Sequence, residues 1–333
     1  MRYGVPYQGS KNKIAGWMID NLPEDEILVD LFAGGCAVTH AAMLSGKWDK
    51  IIANDIGDAP ELFVDAINGK YADEKRWISR EDFQNLKDAD AYVSLCWSFD
   101  NNRSTYLYAQ EVEPWKKALH YARVFGDNSL LLEMGIDSDG SPADIKANEA
   151  EYKEKYIRWW LSKQKYTSAE LDKLIANVKA DIERDEEELR HYLIVALKKS
   201  RLQELQSLES LQRLQSLQRL QKYKNNLTIT RKSYADVAIP DNAVVYADPP
   251  YKGTDQTGYK CDFDYAAFEK WLNEVPFMVI VSEYNVPAGC VEIASIKKQS
   301  LLAQGNKGGT NTEKLFVQER FYNEYLQKMG RLF

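Results

Sequence analysis

The sequence predicts an α/β domain built on a parallel sheet and interrupted by a long helical insertion. Short apolar strands alternate with helical segments over the first 70 residues, and the alternation returns near residue 226. Such alternation is typical of parallel strands covered by helices. The roughly 150 residues in between are mostly helical in pattern and rich in aromatic and charged side chains. At 333 residues, the chain has room for one split domain or for two domains.

The N-terminal elements follow from local signals. A helical pattern covers Lys11–Leu22 and stops at Pro23, which cannot continue a helix. A short apolar strand at Ile27–Leu31 precedes a glycine pair, a small-residue helix at Ala37–Leu44 and a second strand at Lys50–Ala53.

The same signals place the remaining elements and the domain boundaries. We assign residues 1–75 and 226–333 to the α/β domain and residues 76–225 to the helical insertion. The expected later elements are strands at Leu227–Thr230, Ala243–Ala247, Phe277–Val281, Val291–Ile296 and Lys314–Val317, with a helix at Tyr265–Leu272.

Charge is distributed unevenly along the chain. The net charge is −7, yet residues Val195–Lys232 carry nine basic and two acidic side chains. From Lys297 to the end, seven basic residues face three acidic ones. Phosphate attraction depends on local basic surface, so a nucleic-acid partner stays open despite the acidic total. A solvated helix face explains each run equally well.

Several classes of protein are disfavoured. There is no C-x-x-C pair among the four cysteines and there are only three histidines, which argues against a zinc ribbon, a secreted disulfide framework and a metal site. No apolar run is long enough to span a membrane. Met1–Gly16 lacks the apolar core of a signal peptide. We therefore expect a soluble cytoplasmic protein without a metal. The cysteines are Cys36, Cys96, Cys261 and Cys290.

A leucine recurs at every third residue from Leu202 to Leu220, usually followed by glutamine, in a triplet repeat over residues 202–221. On an α-helix this stripe drifts by about 60° per repeat, so no single apolar face results. Three interpretations stay open: a long helix with partly exposed leucines, a helix buried in an oligomer, or a poorly ordered low-complexity segment. Near-identical triplets also predict a spacer that tolerates changes of length.

The strongest chemical signal is Asp248-Pro249-Pro250-Tyr251, directly after the apolar strand 244–247. The prolines restrict φ and lack an N–H donor, so they hold a stiff turn whose carbonyls stay free to accept. Asp248 adds a side-chain acceptor and Tyr251 adds a flat face. This set suits a planar group that bears an amino group, such as adenine. A rigid turn with a core tyrosine is the alternative.

Two further segments have ligand-binding character. Asp30-Leu31-Phe32-Ala33-Gly34-Gly35 lies at a strand-to-helix crossing, where small residues let a ligand approach the backbone. Asp55 ends the next strand, where an acid commonly holds ribose hydroxyls, so the pair indicates a nucleoside-containing cofactor. Pro6–Lys11 precedes the first helix and offers Tyr7 for packing and Lys11 for a carboxylate.

Together these segments resemble the DNA N6-adenine methyltransferases of the Dam type. That family shows an F-x-G-x-K-like segment, an F-x-G-x-G-like loop, a target-recognition region and then D-P-P-Y. The resemblance covers roughly residues 1–70 and 226–320, and Ser98-Phe99 and 103–108 are similar to phage-type members. Two positions depart from the pattern. Tyr7 replaces Phe or Trp, and Cys36 replaces the second glycine of the loop, which fits if its φ is negative.

The resemblance implies a Rossmann-like sheet that binds S-adenosyl-L-methionine, with a large helical insertion that reads the DNA sequence. It implies a target adenine flipped out of double-stranded DNA. Asp248 and the Pro249 carbonyl would accept hydrogen bonds from its N6 amino group, and Tyr251 would stack on it. No metal is required. The implied cofactor contacts are Tyr7, Lys11, Asp30, Phe32, Gly34, Asp55 and Asp248.

The insertion offers candidate DNA contacts at Asn101, Asn102, Arg103, Lys222 and Lys224, which carry groups suited to base edges or phosphates. We expect the loop 252–260 to be a mobile cover over the flipped base. Two alternatives remain: a methyltransferase that acts on RNA or a protein amide, and a catalytically idle DNA-binding protein. The leucine repeat could mediate oligomerisation, and a role in restriction–modification or in a phage fits the resemblance.

Overall fold

The computed structural model describes residues 2–110, 112–163, 206–251, 263–299 and 310–331. A seven-stranded sheet runs through it, with helices on both faces, and this confirms the predicted α/β class. The strands are β1 (Ile27–Asp30), β2 (Lys50–Asn54), β3 (Leu227–Thr230), β4 (Ala243–Ala247), β5 (Val279–Glu283), β6 (Cys290–Gln299) and β7 (Thr310–Gln318).

The strand order is β3-β2-β1-β4-β5-β7-β6. The first five strands in that order are parallel, with Leu28 of β1 opposite Ile51 of β2 on one side and Val244 of β4 on the other. β7 pairs antiparallel with β5 and β6. β7 begins four residues before the predicted Lys314, because its pairing with β6 continues beyond the apolar run that was visible in the sequence.

The centre of the sheet contains a topological switch point. From β1 the chain moves to β2 on one side, whereas β4 pairs with β1 on the other side. In open α/β sheets the crevice at such a point, outside the carboxyl ends of the strands, is where ligands bind. Asp30 ends β1 and Asp248 directly follows β4, so both acids are placed at this crevice.

The helices begin and end at recognisable signals. The predicted helix 11–22 divides at Ile14 into a short 3-10 helix and an α-helix, which ends where Leu22 turns extended before Pro23. Ser79 and Asp82 form a capping box at the start of α4. The α-helices are α1 (Ala15–Asn21), α2 (Ala37–Ser45), α3 (Ala59–Ile67), α4 (Arg80–Leu86), α5 (Ala91–Cys96), α6 (Glu113–Phe125), α7 (Ser129–Glu133), α8 (Pro142–Ala147), α9 (Glu149–Lys163), α10 (206–216), α11 (Tyr265–Glu274) and α12 (Tyr322–Lys328).

In the part of the chain that the structure describes, apolar side chains form three clusters. Alternate residues of β1 point to opposite faces, so Leu28 belongs to one cluster and Val29 to another. The Leu28 cluster also includes Trp97 and Tyr108 of the predicted insertion. Residues 112–163 pack around their own cluster, which contains Trp115. The main core is therefore continuous between the α/β domain and parts of the insertion.

The triplet repeat is helical over its described part, while Leu202 and Leu205 lie outside the described residues. α10 passes into a 3-10 helix at Leu217–Asn226. A 3-10 helix has about 3.0 residues per turn, so a leucine at every third position stays on one face. Leu217 and Leu220 lie in this 3-10 helix and Leu214 lies in the last turn of α10; all three are 0% exposed and belong to the main core.

This packing bears on two expectations about the repeat. Leu211, Leu214, Leu217 and Leu220 are buried in the chain's own core, which argues against a spacer tolerant of length, and these four leucines are not available for oligomerisation. Polar side chains of the same segment also bind specific groups. Arg213 donates to the carbonyl of Gly4 at 2.7 Å, and Gln215 donates to the carbonyl of Ala72 at 3.0 Å.

We expect Leu214→Ala to lower the free energy of unfolding by about 2–5 kcal/mol, because it removes a fully buried side chain and leaves a cavity. Urea unfolding followed by circular dichroism measures this loss. Leu132→Ala is the matched control, since Leu132 is 58% exposed and its truncation should stay within about 0.5 kcal/mol. Equal effects of the two substitutions would contradict the packing of the triplet helix.

Within the described part of the chain, no helix is long and apolar enough to cross a membrane. The expected cover loop 252–260 lies outside the described residues.

Candidate active site

A cavity of about 650 Å³ opens at the carboxyl ends of β1, β2 and β4. All the residues that the sequence analysis assigned to catalysis or to cofactor binding line this one cavity, although they come from four separate stretches of the chain. They are Tyr7, Lys11, Asp30, Phe32, Gly34, Asp55, Asp248, Pro249, Pro250 and Tyr251.

The N-terminal segment packs directly on the glycine loop. Val5 N–H donates to the carbonyl of Gly35 at 2.8 Å. Gly4 has a φ of +68°, and a Cβ there would lie 2.0 Å from the same carbonyl oxygen. A Cβ on Gly34 would lie 2.8 Å from the ring of Tyr7. Only glycine fits these close approaches, so the loop and the segment shape this wall of the cavity together.

Cys36 follows the loop and caps the N-terminus of α2. A cysteine would fit this position without strain if its φ were negative, and that condition is not met: φ is +57° and ψ is +36°. The left-handed conformation costs a residue with a Cβ about 1–2 kcal/mol. The Cys36 side chain is 0% exposed, so its burial among apolar neighbours offsets part of that cost.

Two acids are held beside the loop in different ways. Asp55 accepts from the backbone N–H of Gly34 at 2.8 Å and of Gly57 at 2.7 Å. Asp30 accepts from the Thr39 hydroxyl at 2.7 Å, and its other oxygen has no hydrogen-bond partner among the described residues. Burial raises the pKa of Asp55 despite its two backbone donors, and burial raises the pKa of Asp30 to about 7.

Aromatic side chains form the next wall of the cavity. Phe32 stacks on Tyr234 with ring centroids 5.4 Å apart, and it contacts Phe263 edge-on at 5.8 Å. All three residues line the cavity. Tyr234 and Phe263 were not assigned to the site from sequence, because they meet Phe32 only once the sheet is assembled.

Lys11 joins the two ends of the D-P-P-Y segment. Its ammonium lies 2.8 Å from Oδ1 of Asp248 and 4.4 Å from the centroid of the Tyr251 ring. The Lys11 side chain is only 7% exposed. Burial raises the pKa of Asp248, whereas the ammonium of Lys11 lowers it. The carboxylate that Lys11 was predicted to reach is therefore one that the protein itself provides.

A second carboxylate lies behind this group. Glu313 of β7 is 0% exposed and accepts hydrogen bonds from the Tyr251 hydroxyl and, at 2.8 Å, from the Ser282 hydroxyl. It also lies 3.5 Å from the ammonium of Lys11. Glu313 was not predicted from the sequence as a site residue. The available signal was its spacing, because it shares the period-2 pattern of the buried residues Leu315 and Val317.

The predicted DNA contacts in the 101–103 loop are engaged within the protein. The Asn101 amide donates to the carbonyl of Leu95 at 2.7 Å. Asn102 accepts from the backbone N–H groups of its own turn. Arg103 lines the cavity and forms an ion pair with Asp58 at 2.6 Å. Asn101 and Arg103 both have a positive φ, so the loop holds a constrained shape.

Lys222 and Lys224, the other predicted DNA contacts, are exposed on the 3-10 helix and do not line the cavity. The described residues contain no group of three or more His, Cys, Asp or Glu side chains that could hold a metal ion.

The parallel sheet, the cavity at its switch point and the D-P-P-Y segment on the cavity wall define a Rossmann-like methyltransferase. The model of the family described as D12 class N6 adenine-specific DNA methyltransferase matches residues 7–163. This range includes the N-terminal segment, the glycine loop and Asp55, and it ends before Asp248. A search of curated proteins finds no match. The protein is an enzyme, a site-specific DNA methyltransferase that modifies adenine at N6, as the sequence predicted.

Proposed function

We propose that the enzyme is of the Dam type and transfers a methyl group from S-adenosyl-L-methionine to an adenine flipped out of double-stranded DNA. The observation that carries this proposal is the convergence of Lys11, Asp248 and Tyr251 on one cavity at the switch point of the sheet. The order of the motifs supports the Dam type. A cytoplasmic location and a phage or restriction–modification setting belong to the same proposal.

The cavity fits the proposed methyl donor. When bound, S-adenosylmethionine supplies an electrophilic methyl group on a sulfonium, and it also carries an ammonium group. The lining carries both acids and the cations Lys11, Arg103 and Lys232, but Lys11 pairs with Asp248 and Arg103 with Asp58. Asp30 and Asp55 form no ion pair among the described residues, so they favour a cationic ligand. The buried oxygen of Asp30 that lacks a partner among the described residues is suited to an ammonium donor. Each Asp55 oxygen keeps a second lone pair that ribose hydroxyls can use.

Four residues would hold the target base. Asp248 and the Pro249 carbonyl accept from the N6 amino group, which turns the nitrogen lone pair toward the reacting carbon. Pro250 stiffens the turn, and Tyr251 provides the stacking surface. The amino nitrogen is conjugated and a poor nucleophile, so positioning and local electrostatics carry the catalysis.

The DNA is proposed to contact the helical insertion. Lys222 and Lys224 are exposed and suited to phosphates. Contacts from Asn101, Asn102 and Arg103 require these side chains to share or leave their present partners. A base in a duplex is buried in the stack, so the adenine must be extruded into the cavity before it can react.

The test uses purified protein, radiolabelled S-adenosylmethionine and three acceptors in parallel: unmethylated double-stranded DNA, RNA and a protein mixture. Label recovered as N6-methyladenine in the DNA is the expected result. Label only in RNA or protein would favour the alternative substrates. Donor binding without transfer to any acceptor, or no donor binding at all, would leave a catalytically idle DNA-binding protein.

We expect Gly34→Ala to weaken the binding of S-adenosylmethionine about tenfold. The new Cβ would lie 2.8 Å from the Tyr7 ring at a φ of +45°, so the loop or the ring must shift, and both line the proposed donor cavity. A loss of about 1.4 kcal/mol of binding free energy corresponds to this tenfold change. Titration calorimetry measures the dissociation constant. Gly16→Ala is the control, because Gly16 lies in α1 with no atom within 4 Å of an added Cβ. An unchanged constant for Gly34→Ala would separate the loop from the donor site.

A further inference from the structure

Glu313 is a buried carboxylate that the catalytic chemistry described above does not use. It lies on β7, an antiparallel strand far from the D-P-P-Y segment in sequence, and β7 brings it behind Tyr251. An ionised group so deeply buried is costly unless it is paired and hydrogen-bonded. The partners of Glu313 therefore indicate what it does.

Those partners belong to the reacting centre. The Tyr251 hydroxyl donates to Glu313, which fixes the rotation of the ring. Ser282 donates to the same oxygen at 2.8 Å and lies 2.7 Å from the Tyr251 hydroxyl. The edge of the Tyr284 ring packs against Tyr251 with centroids 4.6 Å apart. The Tyr251 ring is thus held at its hydroxyl by Glu313 and Ser282, and on one side by Tyr284.

The second effect of Glu313 is electrostatic. Lys11 lies 2.8 Å from Asp248 and 3.5 Å from Glu313, so one ammonium is shared by two carboxylates. The charge of Glu313 opposes the ionisation of Asp248. Among the described residues, the titratable and charged groups that face Asp248 are Lys11, Glu313, Tyr251, Tyr246 and Asp30.

We propose that Glu313 is a positioning residue for methyl transfer: it fixes the Tyr251 ring through the hydroxyl and sets the charge balance of the Lys11–Asp248 pair. This inference rests on the proposed function, because it assigns Tyr251 and Asp248 to the target base. It adds a role for the antiparallel end of the sheet, which otherwise lies outside the catalytic motifs.

The kinetic test begins with the wild-type enzyme and adds Glu313→Gln, Tyr251→Phe and the double variant. Glu313→Gln keeps an acceptor for the hydroxyl and removes the charge. We expect kcat to fall about 10- to 100-fold, with KM for DNA changed less than about threefold. The acid limb of the pH–rate profile should move to lower pH, since loss of the nearby negative charge lowers the pKa of Asp248. The double variant should be little worse than the poorer single variant.

A second readout uses the protein without methyl donor. Lys11→Met should lower the urea midpoint less in the Glu313→Gln background than in the wild type, because one unpaired carboxylate has already been removed. This measurement needs no catalysis, and Tyr251→Phe probes the same contact should Glu313→Gln fail to fold. Glu292→Gln is the matched control, since Glu292 lies on the neighbouring strand in an exposed ion pair with Lys314 at 2.9 Å.

The outcomes separate the two proposals. An inactive wild-type enzyme contradicts the proposed function. The urea comparison then still tests whether Asp248 and Glu313 share the ammonium of Lys11. An active wild-type enzyme whose Glu313→Gln variant matches it in kcat and acid limb overturns the positioning role alone. The positioning role is also overturned if the losses of kcat in Glu313→Gln and Tyr251→Phe multiply in the double variant and the acid limb of the pH–rate profile does not move. That result would indicate that Glu313 only stabilises the fold.

Discussion

Asp248→Ala is expected to lower kcat for DNA methylation by at least about 10²-fold, while the protein stays folded. The substitution removes the acceptor proposed for the N6 amino group, and loss of one preorganised polar contact in a catalytic site typically costs about 10²–10³-fold. The Asp248 side chain is 17% exposed and lines the cavity. Its truncation therefore enlarges a cavity that is open to solvent and does not create a void in the apolar core, so we expect the fold to persist. Radiolabel transfer under saturating donor and DNA measures the effect.

Asp241→Ala is the control for this substitution. Asp241 is exposed and lies two residues before the opposite end of β4, so its loss should change kcat less than twofold. The wild-type profile adds a second check. Because the pKa of Asp248 is raised above 3.8, protonation should remove activity as the pH falls through that raised value. An Asp248→Ala enzyme with nearly full activity would contradict the assignment.

Lys11→Met is expected to lower the free energy of unfolding by about 3–5 kcal/mol and to inactivate the enzyme. It leaves the carboxylates of Asp248 and Glu313 without their shared cation in a buried site, and the loss of one partner from a buried ion pair typically costs this much. Urea unfolding of the donor-free protein gives the stability, and the transfer assay gives the activity.

The stability loss should depend on pH in a defined direction. A carboxyl whose pKa is raised in the folded state binds more protons folded than unfolded, so stability increases as the pH falls toward 3.8. Removing Lys11 raises the pKa of Asp248 further, so the variant gains more stability than the wild type as the pH falls. The difference in unfolding free energy between the wild type and Lys11→Met should therefore shrink on acidification. Lys270→Met, at an exposed pair with Glu274, should cost less than about 1 kcal/mol at every pH. A stability difference between the wild type and Lys11→Met that does not change with pH would contradict the sharing of the Lys11 ammonium by Asp248 and Glu313.

The central part of the site could be predicted because its signals are local. β1 and β4 are short apolar runs, and Asp30 and Asp248 stand at their carboxyl ends. Parallel strands bring such ends to one edge of the sheet, so residues more than 200 positions apart could be placed in one cavity before the structure was known. The D-P-P-Y segment itself restricts its backbone through two prolines.

Other parts depend on contacts that the sequence does not encode locally. Glu313 reaches Tyr251 only because β7 enters the sheet antiparallel beside β5, and strand order at that edge has no local signature. Arg103 was assigned to DNA but lies against the cavity in an ion pair with Asp58, a partner 45 positions away. The positive φ of Cys36 follows from the tight loop packing and not from its residue type.

The helix type of the triplet repeat has a consequence for how the gene can change. In-frame slippage of a repetitive tract adds or removes whole triplets, but only Leu217 and Leu220 of the repeat lie in the 3-10 segment. The described residues before them form α10, where each added triplet turns the leucine stripe by about 60° and moves it away from the core. A change of copy number would also displace Arg213 from the Gly4 carbonyl. Since Gly4 packs on the carbonyl of Gly35, a change of repeat length would reach the wall of the active site as well as the core.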